Sequence, residues 1–149
     1  RLNLRDHGPS HHLNQGLFYA TLLDEVCFAV NHATSMFPSR PVFLCGFSLG
    51  GNFALRMALQ WSLNGPSDLD LRHIFAISPV LDPSAATDAI DCHPVIQYYF
   101  LRKWRRSLRI KQGCFPRHYN FDKIIKLPTV SSTTDQFLRD DSNYGNSDE

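Results

Sequence analysis

Residues 41–54 read Pro41-Val42-Phe43-Leu44-Cys45-Gly46-Phe47-Ser48-Leu49-Gly50-Gly51-Asn52-Phe53-Ala54, and this stretch decides the fold class. Pro41 to Cys45 is short, apolar and β-prone, with no polar alternation, as expected of a parallel strand covered on both faces. Gly46 to Gly51 is a glycine-rich turn. From Asn52 to Trp61, the residues Phe53, Ala54, Met57, Ala58 and Trp61 fall on one helical face. A buried strand that turns sharply into an amphipathic helix is the first half of a parallel crossover unit.

Within the turn, Gly46-Phe47-Ser48-Leu49-Gly50 is a G-x-S-x-G motif. By composition alone, about one chain in twenty of this length would carry it by chance. Its setting, between an apolar strand and a helix, is what a nucleophile elbow requires. Such a turn holds its serine in a strained conformation at the carboxyl end of the strand, where open α/β sheets bind ligands. Ser48 is therefore the candidate nucleophile. The Leu49 backbone N–H, at the start of the helix, is the candidate oxyanion donor. Gly46, Phe47, Gly50 and Gly51 shape the elbow: a Cβ at Gly46 or Gly50 should collide with neighbouring backbone, and Gly51 should let the helix approach the sheet. The bland alternative is a tight turn with an incidental serine.

Working outward, Leu17 to about Ala33 has helical spacing through Leu22, Val26, Ala29, Val30 and Ala33. Residues 5–16 are polar, carry Gly and Pro, and read as a loop. Residues 1–4 read as the end of a strand. Downstream, His73 to Ile77 is a second buried strand, closed by Ser78-Pro79. The first 80 residues thus alternate strand and helix, which predicts an α/β fold with a parallel sheet and right-handed crossovers. Pro94 opens a helix running to about Lys111, with Phe100, Leu101, Trp104 and Leu108 as its apolar stripe. The expected organisation is 1–93 as core, 94–135 as a helical cap segment and 136–149 as a polar, disordered tail.

The chain has 149 residues, 43% hydrophobic and 19% charged, with net charge +1. That is ordinary globular composition, and nothing global points to nucleic acid or to an anionic membrane. No apolar run approaches a membrane span, and the first residues contain no signal-peptide core. Cys27, Cys45, Cys92 and Cys114 are widely spaced and match no zinc or CxxC pattern, so they read as buried free thiols in a reducing, cytoplasmic setting.

Several stretches resemble the YheT-like branch of the α/β-hydrolase superfamily, which includes the embryogenesis-associated hydrolases. They are Asn3-Leu4-Arg5-Asp6-His7-Gly8, His11-His12-Leu13-Asn14 with Gly16-Leu17-Phe18, and Gly46 through Arg56. The likeness continues through Ile77-Ser78-Pro79-Val80-Leu81-Asp82-Pro83 and into Tyr99-Phe100-Leu101, so it covers most of the chain. It implies a partial α/β-hydrolase fold, hydrolysis of a small-molecule or lipid carboxylic ester, no metal and no cofactor. In that branch the triad acid and base follow the last strands of the sheet, and no such pair can be placed in residues 94–149. The resemblance therefore implies a chain that runs from strand 4 to the cap, without strands 1–3 and 7–8. Residues 1–4 would then lack a neighbour and the 41–45 strand would expose an edge, so the isolated chain is expected to be poorly stable.

His7, His11 and His12 cluster beside Asp6 and could line the rim of the cleft; no periodicity makes them metal ligands. His73, His93 and His118, with Asp82, Asp88, Asp91 and Asp122, are weaker candidates for an in-chain base and acid, since triads are recognised by geometry rather than order. The run Arg102-Lys103-Trp104-Arg105-Arg106 reads as a solvated helix face with Trp104 packed inward, rather than as a nucleic-acid or membrane surface. The function expected is acyl transfer to Ser48, with the cap helix around Tyr98–Leu108 covering the cleft. The rivals are thioester or amide hydrolysis or acyl transfer on the same scaffold, and a non-catalytic relative that binds or scaffolds.

Overall fold

The computed structural model describes residues 1–64 and 70–144. Its elements are α1 (Leu23–Ser35), β1 (Val42–Phe47), α2 (Leu49–Asn64), β2 (Leu71–Ile77), α3 (Pro83–Asp91), α4 (Pro94–Cys114) and α5 (Val130–Tyr144), with a 3₁₀ turn at Ile124–Lys126. The protein is mixed α/β, and β1 and β2 form a two-stranded parallel sheet. The chain divides into two compact units. One comprises Arg1–Leu4 and Phe18–Leu81; the other comprises Arg5–Leu17 and the chain from Asp82 onward.

The first unit is the crossover the sequence predicts. Phe43, Cys45 and Phe47 lie beside His73, Phe75 and Ile77 in the parallel register, on one face; Leu44 and Gly46 lie beside Ile74 and Ala76 on the other. The second face packs on α2. There Phe53 and Met57 are fully buried against Val26 and Cys27 of α1, with Leu4, Phe18, Leu44 and Trp61 packed around them. Each such apolar side chain contributes about 1.5–3 kcal/mol by leaving water. The first face stays in solvent, with Phe43 61% and Phe47 65% exposed. Cys45 is exposed with it, as are Cys92 and Cys114, so of the four free thiols Cys27 alone is buried. The expectation of buried cysteines therefore fails at three positions.

Element bounds differ from expectation for local reasons. Residues 1–4 form no ladder among the described residues, because β1 is hydrogen-bonded to β2 alone. The first helix starts at Leu23 rather than Leu17: Phe18 leaves the helical path to set its ring edge-on to Phe53, with centroids 6.3 Å apart. β1 runs two residues further than Cys45, to Phe47, up to the serine turn.

In the second unit, α3, α4 and α5 pack on one another around Leu101, Leu108, Phe121, Ile124, Val130 and Phe137. Asp82 caps α3 by accepting from the Ala85 amide at 3.0 Å, with Pro83 at the first helical position. Asp91, at the end of α3, accepts from the amides of Val130 (2.7 Å) and Ser131 (2.8 Å) and so caps α5. Residues 136–144 are therefore helical, not a disordered tail; residues 145–149 lie outside the described part. The unit begins at Asp82 rather than at residue 94, and it takes in the 5–17 loop. The Lys111 ammonium gathers that loop, 2.8 Å from Asp6 Oδ1, 2.6 Å from the Asn14 carbonyl and 2.8 Å from that of Gly16.

Candidate active site

The serine turn is built by its neighbours. Ser48 has φ 50°, a left-handed conformation that is unfavourable for a residue with a Cβ by roughly 1–2 kcal/mol. Three hydrogen bonds hold it there. The Ser48 amide donates to the Ile77 carbonyl at 3.0 Å, extending the β1–β2 ladder by one bond. Its carbonyl accepts from the amides of Asn52 (3.1 Å) and Val80 (3.3 Å). The Asn52 side chain in turn donates to the Val80 carbonyl at 2.7 Å, tying the first turn of α2 to the exit of β2. Asn52 and the Ile77–Val80 segment are thus elbow supports, a role beyond the strand ending that the sequence assigns to Ser78-Pro79. The signal for Asn52 is a side-chain donor four residues after the serine, on the helix side that meets the next strand.

The glycines have distinct roles. A Cβ on Gly46 would overlap the Gly50 carbonyl and sit 2.7 Å from the Gly51 amide, so this position tolerates no side chain. A Cβ on Gly51 would lie 3.1 Å from the Gly46 carbonyl oxygen and 3.2 Å from Pro79, so its absence lets α2 start close against the sheet. Gly50 differs from expectation: a Cβ there meets nothing within 4 Å, because the residue already points outward on the first turn of α2. Phe47 is exposed on the uncovered sheet face.

The resulting geometry presents an exposed Ser48 at the carboxyl end of β1 and at the amino end of α2. Leu49, Gly50 and Gly51 belong to the first turn, whose amides have no intrahelical acceptor and carry the positive end of the helix dipole. Among the described residues, no side chain hydrogen-bonds the Ser48 hydroxyl. His73 lies at the opposite end of the sheet, beside Phe43, with its ring tilted against that of Phe75. The Cys27 thiol donates to Gln60 Oε1 at 3.4 Å, and burial pushes its pKa up, which leaves it a poor nucleophile.

The remaining sequence candidates fall in the second unit, and all but His12 and His93, which are exposed, are engaged there. His7 Nδ1 lies 2.7 Å from the Arg5 carbonyl. His11 is buried, 2.7 Å from the Ser107 hydroxyl, and that burial lowers its pKa. His12 is exposed. His118 pairs with Gln15 at 2.9 Å and Asp122 with Gln112 at 3.3 Å. Asp82 and Asp91 cap helices, and Asp88 accepts from the Ser131 hydroxyl. Among the described residues, no group of three His, Cys, Asp or Glu side chains converges as a metal site would require.

Fold and site together define a mixed α/β protein with a strained serine on a strand–turn–helix. No family model, curated protein or solved structure matches the chain. Among the described residues, no helix is long and apolar enough to cross a membrane.

Proposed function

We propose that this chain carries the nucleophile of a serine hydrolase acting on small-molecule or lipid carboxylic esters, on part of an α/β-hydrolase scaffold. The observation that supports it is Ser48 in the left-handed region between β1 and α2, pinned by Ile77, Val80 and Asn52. Strain of this kind persists where the surroundings over-determine it, and it clusters at active sites. The Ser48 Oγ attacks the ester carbonyl carbon while its proton passes to a base. The oxyanion so formed accepts from the Leu49 N–H, a type of contact that contributes about 10²–10³-fold in rate. Collapse expels the alcohol, which takes the proton. Water then cleaves the acyl-serine, releasing the carboxylic acid and restoring Ser48. The base is supplied from beyond the strand–helix–strand segment, since no imidazole of that segment reaches the hydroxyl.

The test is a fluorophosphonate probe applied to the full-length gene product, with the adduct located by peptide mass spectrometry. Stoichiometric modification of Ser48, abolished in Ser48→Ala, supports the reading. A folded protein that leaves Ser48 unmodified overturns it and favours the second reading, a non-catalytic binding protein. That second reading draws on the Ser48 hydroxyl, which has no hydrogen-bond partner among the described residues. A parallel panel of nitrophenyl esters, acyl thioesters and amides separates ester hydrolysis from related acyl transfers.

A further inference from the structure

Helix α4 carries six basic residues and no acidic one, in a chain whose net charge is only +1. Two of the six are used internally: Lys111 in the loop cage, and Arg105, which donates to the Leu127 carbonyl at 2.7 Å. The other four, Arg102, Lys103, Arg106 and Arg109, are exposed and make no ion pair among the described residues. They share one side of the helix. Val95, Tyr99, Arg102, Arg106 and Ile110 repeat at intervals of four, three, four and four, opposite the buried Leu101 and Leu108. This outward stripe is not polar throughout. Its amino-terminal end is apolar and bare, with Val95 82%, Tyr98 64% and Tyr99 56% exposed.

From this stripe we infer that α4 is a docking surface for an anionic lipid bilayer, lying in the headgroup plane. Charge complementarity selects an anionic partner. The apolar end selects lipid over nucleic acid: Val95 and Ile96 offer nothing to a phosphate or a base, whereas both gain by entering the acyl boundary. Tyr98 and Tyr99 match the amphipathic rings that concentrate at membrane interfaces. Lys103 lies over the Tyr99 ring, 5.6 Å from its centroid, so the charge and the aromatic are presented together. Arg102, Lys103, Arg106 and Arg109 then lie on the same side, within reach of the lipid phosphates. Interfacial binding of this kind needs no spanning helix. It is independent of the reading of Ser48.

The experiment is flotation of the full chain with vesicles of phosphatidylcholine alone or with about one-third phosphatidylserine, since flotation separates bound protein from aggregates. Binding to the anionic vesicles, at least tenfold weaker to the neutral ones and lost in molar salt, is expected. Arg102→Glu with Arg106→Glu should weaken it by at least roughly twentyfold, at about fivefold or more per charge change. Val95→Ser with Tyr99→Ser keeps every charge and should weaken vesicle binding about tenfold. Both pairs lie on the solvent face, and circular dichroism checks that they fold. Equal binding to neutral vesicles, no binding, or an unchanged Val95→Ser/Tyr99→Ser variant would overturn the inference. Displacement from the vesicles by low-micromolar single-stranded RNA would overturn it in favour of a nucleic-acid surface. Because none of these readouts uses catalysis, their failure is separate from failure of the Ser48 labelling.

Discussion

The unit around Ser48 buries Phe53 and Met57 beneath one face of a two-stranded sheet and leaves Phe43 and Phe47 in solvent on the other. The helical unit instead draws a loop and three helices together through charged groups bonded to backbone, with Lys111 and Asp91 at the junctions. In the first unit the critical feature is empty space: no Cβ at Gly46, and a small gap between Gly51 and Pro79. In the second it is occupied space, a cation or an anion that satisfies several backbone groups at once. Adding atoms should therefore break the first unit, and removing them should break the second.

The largest expected effect is at Lys111. Lys111→Ala removes a partner of a nearly buried Asp6 carboxylate and of the Asn14 and Gly16 carbonyls. Loss of one member of a buried pair costs about 3–5 kcal/mol. Urea unfolding followed by circular dichroism measures it. Lys111→Met retains the aliphatic stem, so a cost below about 1 kcal/mol in that variant would show that the stem, not the ammonium, holds the loop.

Gly46→Ala comes next, and it tests the opposite half of the contrast. Its methyl group overlaps the Gly50 carbonyl, which is backbone and cannot step aside. We expect a loss of about 3 kcal/mol, at the upper end for overpacking, and disappearance of fluorophosphonate labelling at Ser48. Unchanged labelling would mean that the elbow relaxes without moving its serine.

The same contrast explains what could be read in advance. The elbow was legible because its signal is local: an apolar run, a G-x-S-x-G and an amphipathic helix in adjacent positions. β1, α2, β2 and α4 follow from the same kind of signal. Asp82-Pro83 is also a local helix start, an acceptor side chain followed by proline, so α3 too has a local signal in the sequence. α5 has none, because among its described residues the buried face is Val130, Thr133 and Phe137 in a largely polar stretch. Three positions at helical spacing are too few to stand out; tertiary packing of Phe137 against Trp104 and Phe121 supplies the rest. The role of Lys111 was hidden for a stronger reason. Its acceptors lie about a hundred residues earlier, in a loop whose path no periodicity describes.

A smaller effect is expected at Asp91, where pH can do the removal. Burial alone would raise its carboxyl, but the amides of Ser131 and Val130, with Gln97 and the Ser131 hydroxyl, outweigh it and hold the pKa at about 2. A depressed carboxyl stabilises the fold when ionised. Its contribution is complete above about pH 4 and is lost as pH falls toward the folded value. Because the group is partly exposed, solvent screening limits that contribution to about 1 kcal/mol. Asp91→Asn should therefore be less stable than the parent by that amount at neutral pH, and the difference should close near pH 2. A pH-independent difference would assign the effect to shape rather than charge.

The smallest expected effect is the most discriminating for the elbow. Gly50 occupies the second outer position of G-x-S-x-G, yet a Cβ there meets open space and its φ is not left-handed. Glycine at such a helical position costs more conformational entropy than alanine, so Gly50→Ala should raise stability by about 0.5–1 kcal/mol. Labelling of Ser48 should persist, since the methyl group points away from both Gly46 and Pro79. Set beside Gly46→Ala, the result separates two explanations of the motif. If both substitutions destabilise, the turn needs flexibility at each glycine. If only the first does, the motif reduces to one close approach, Gly46 against the Gly50 backbone, and the second glycine serves whatever occupies the space above it.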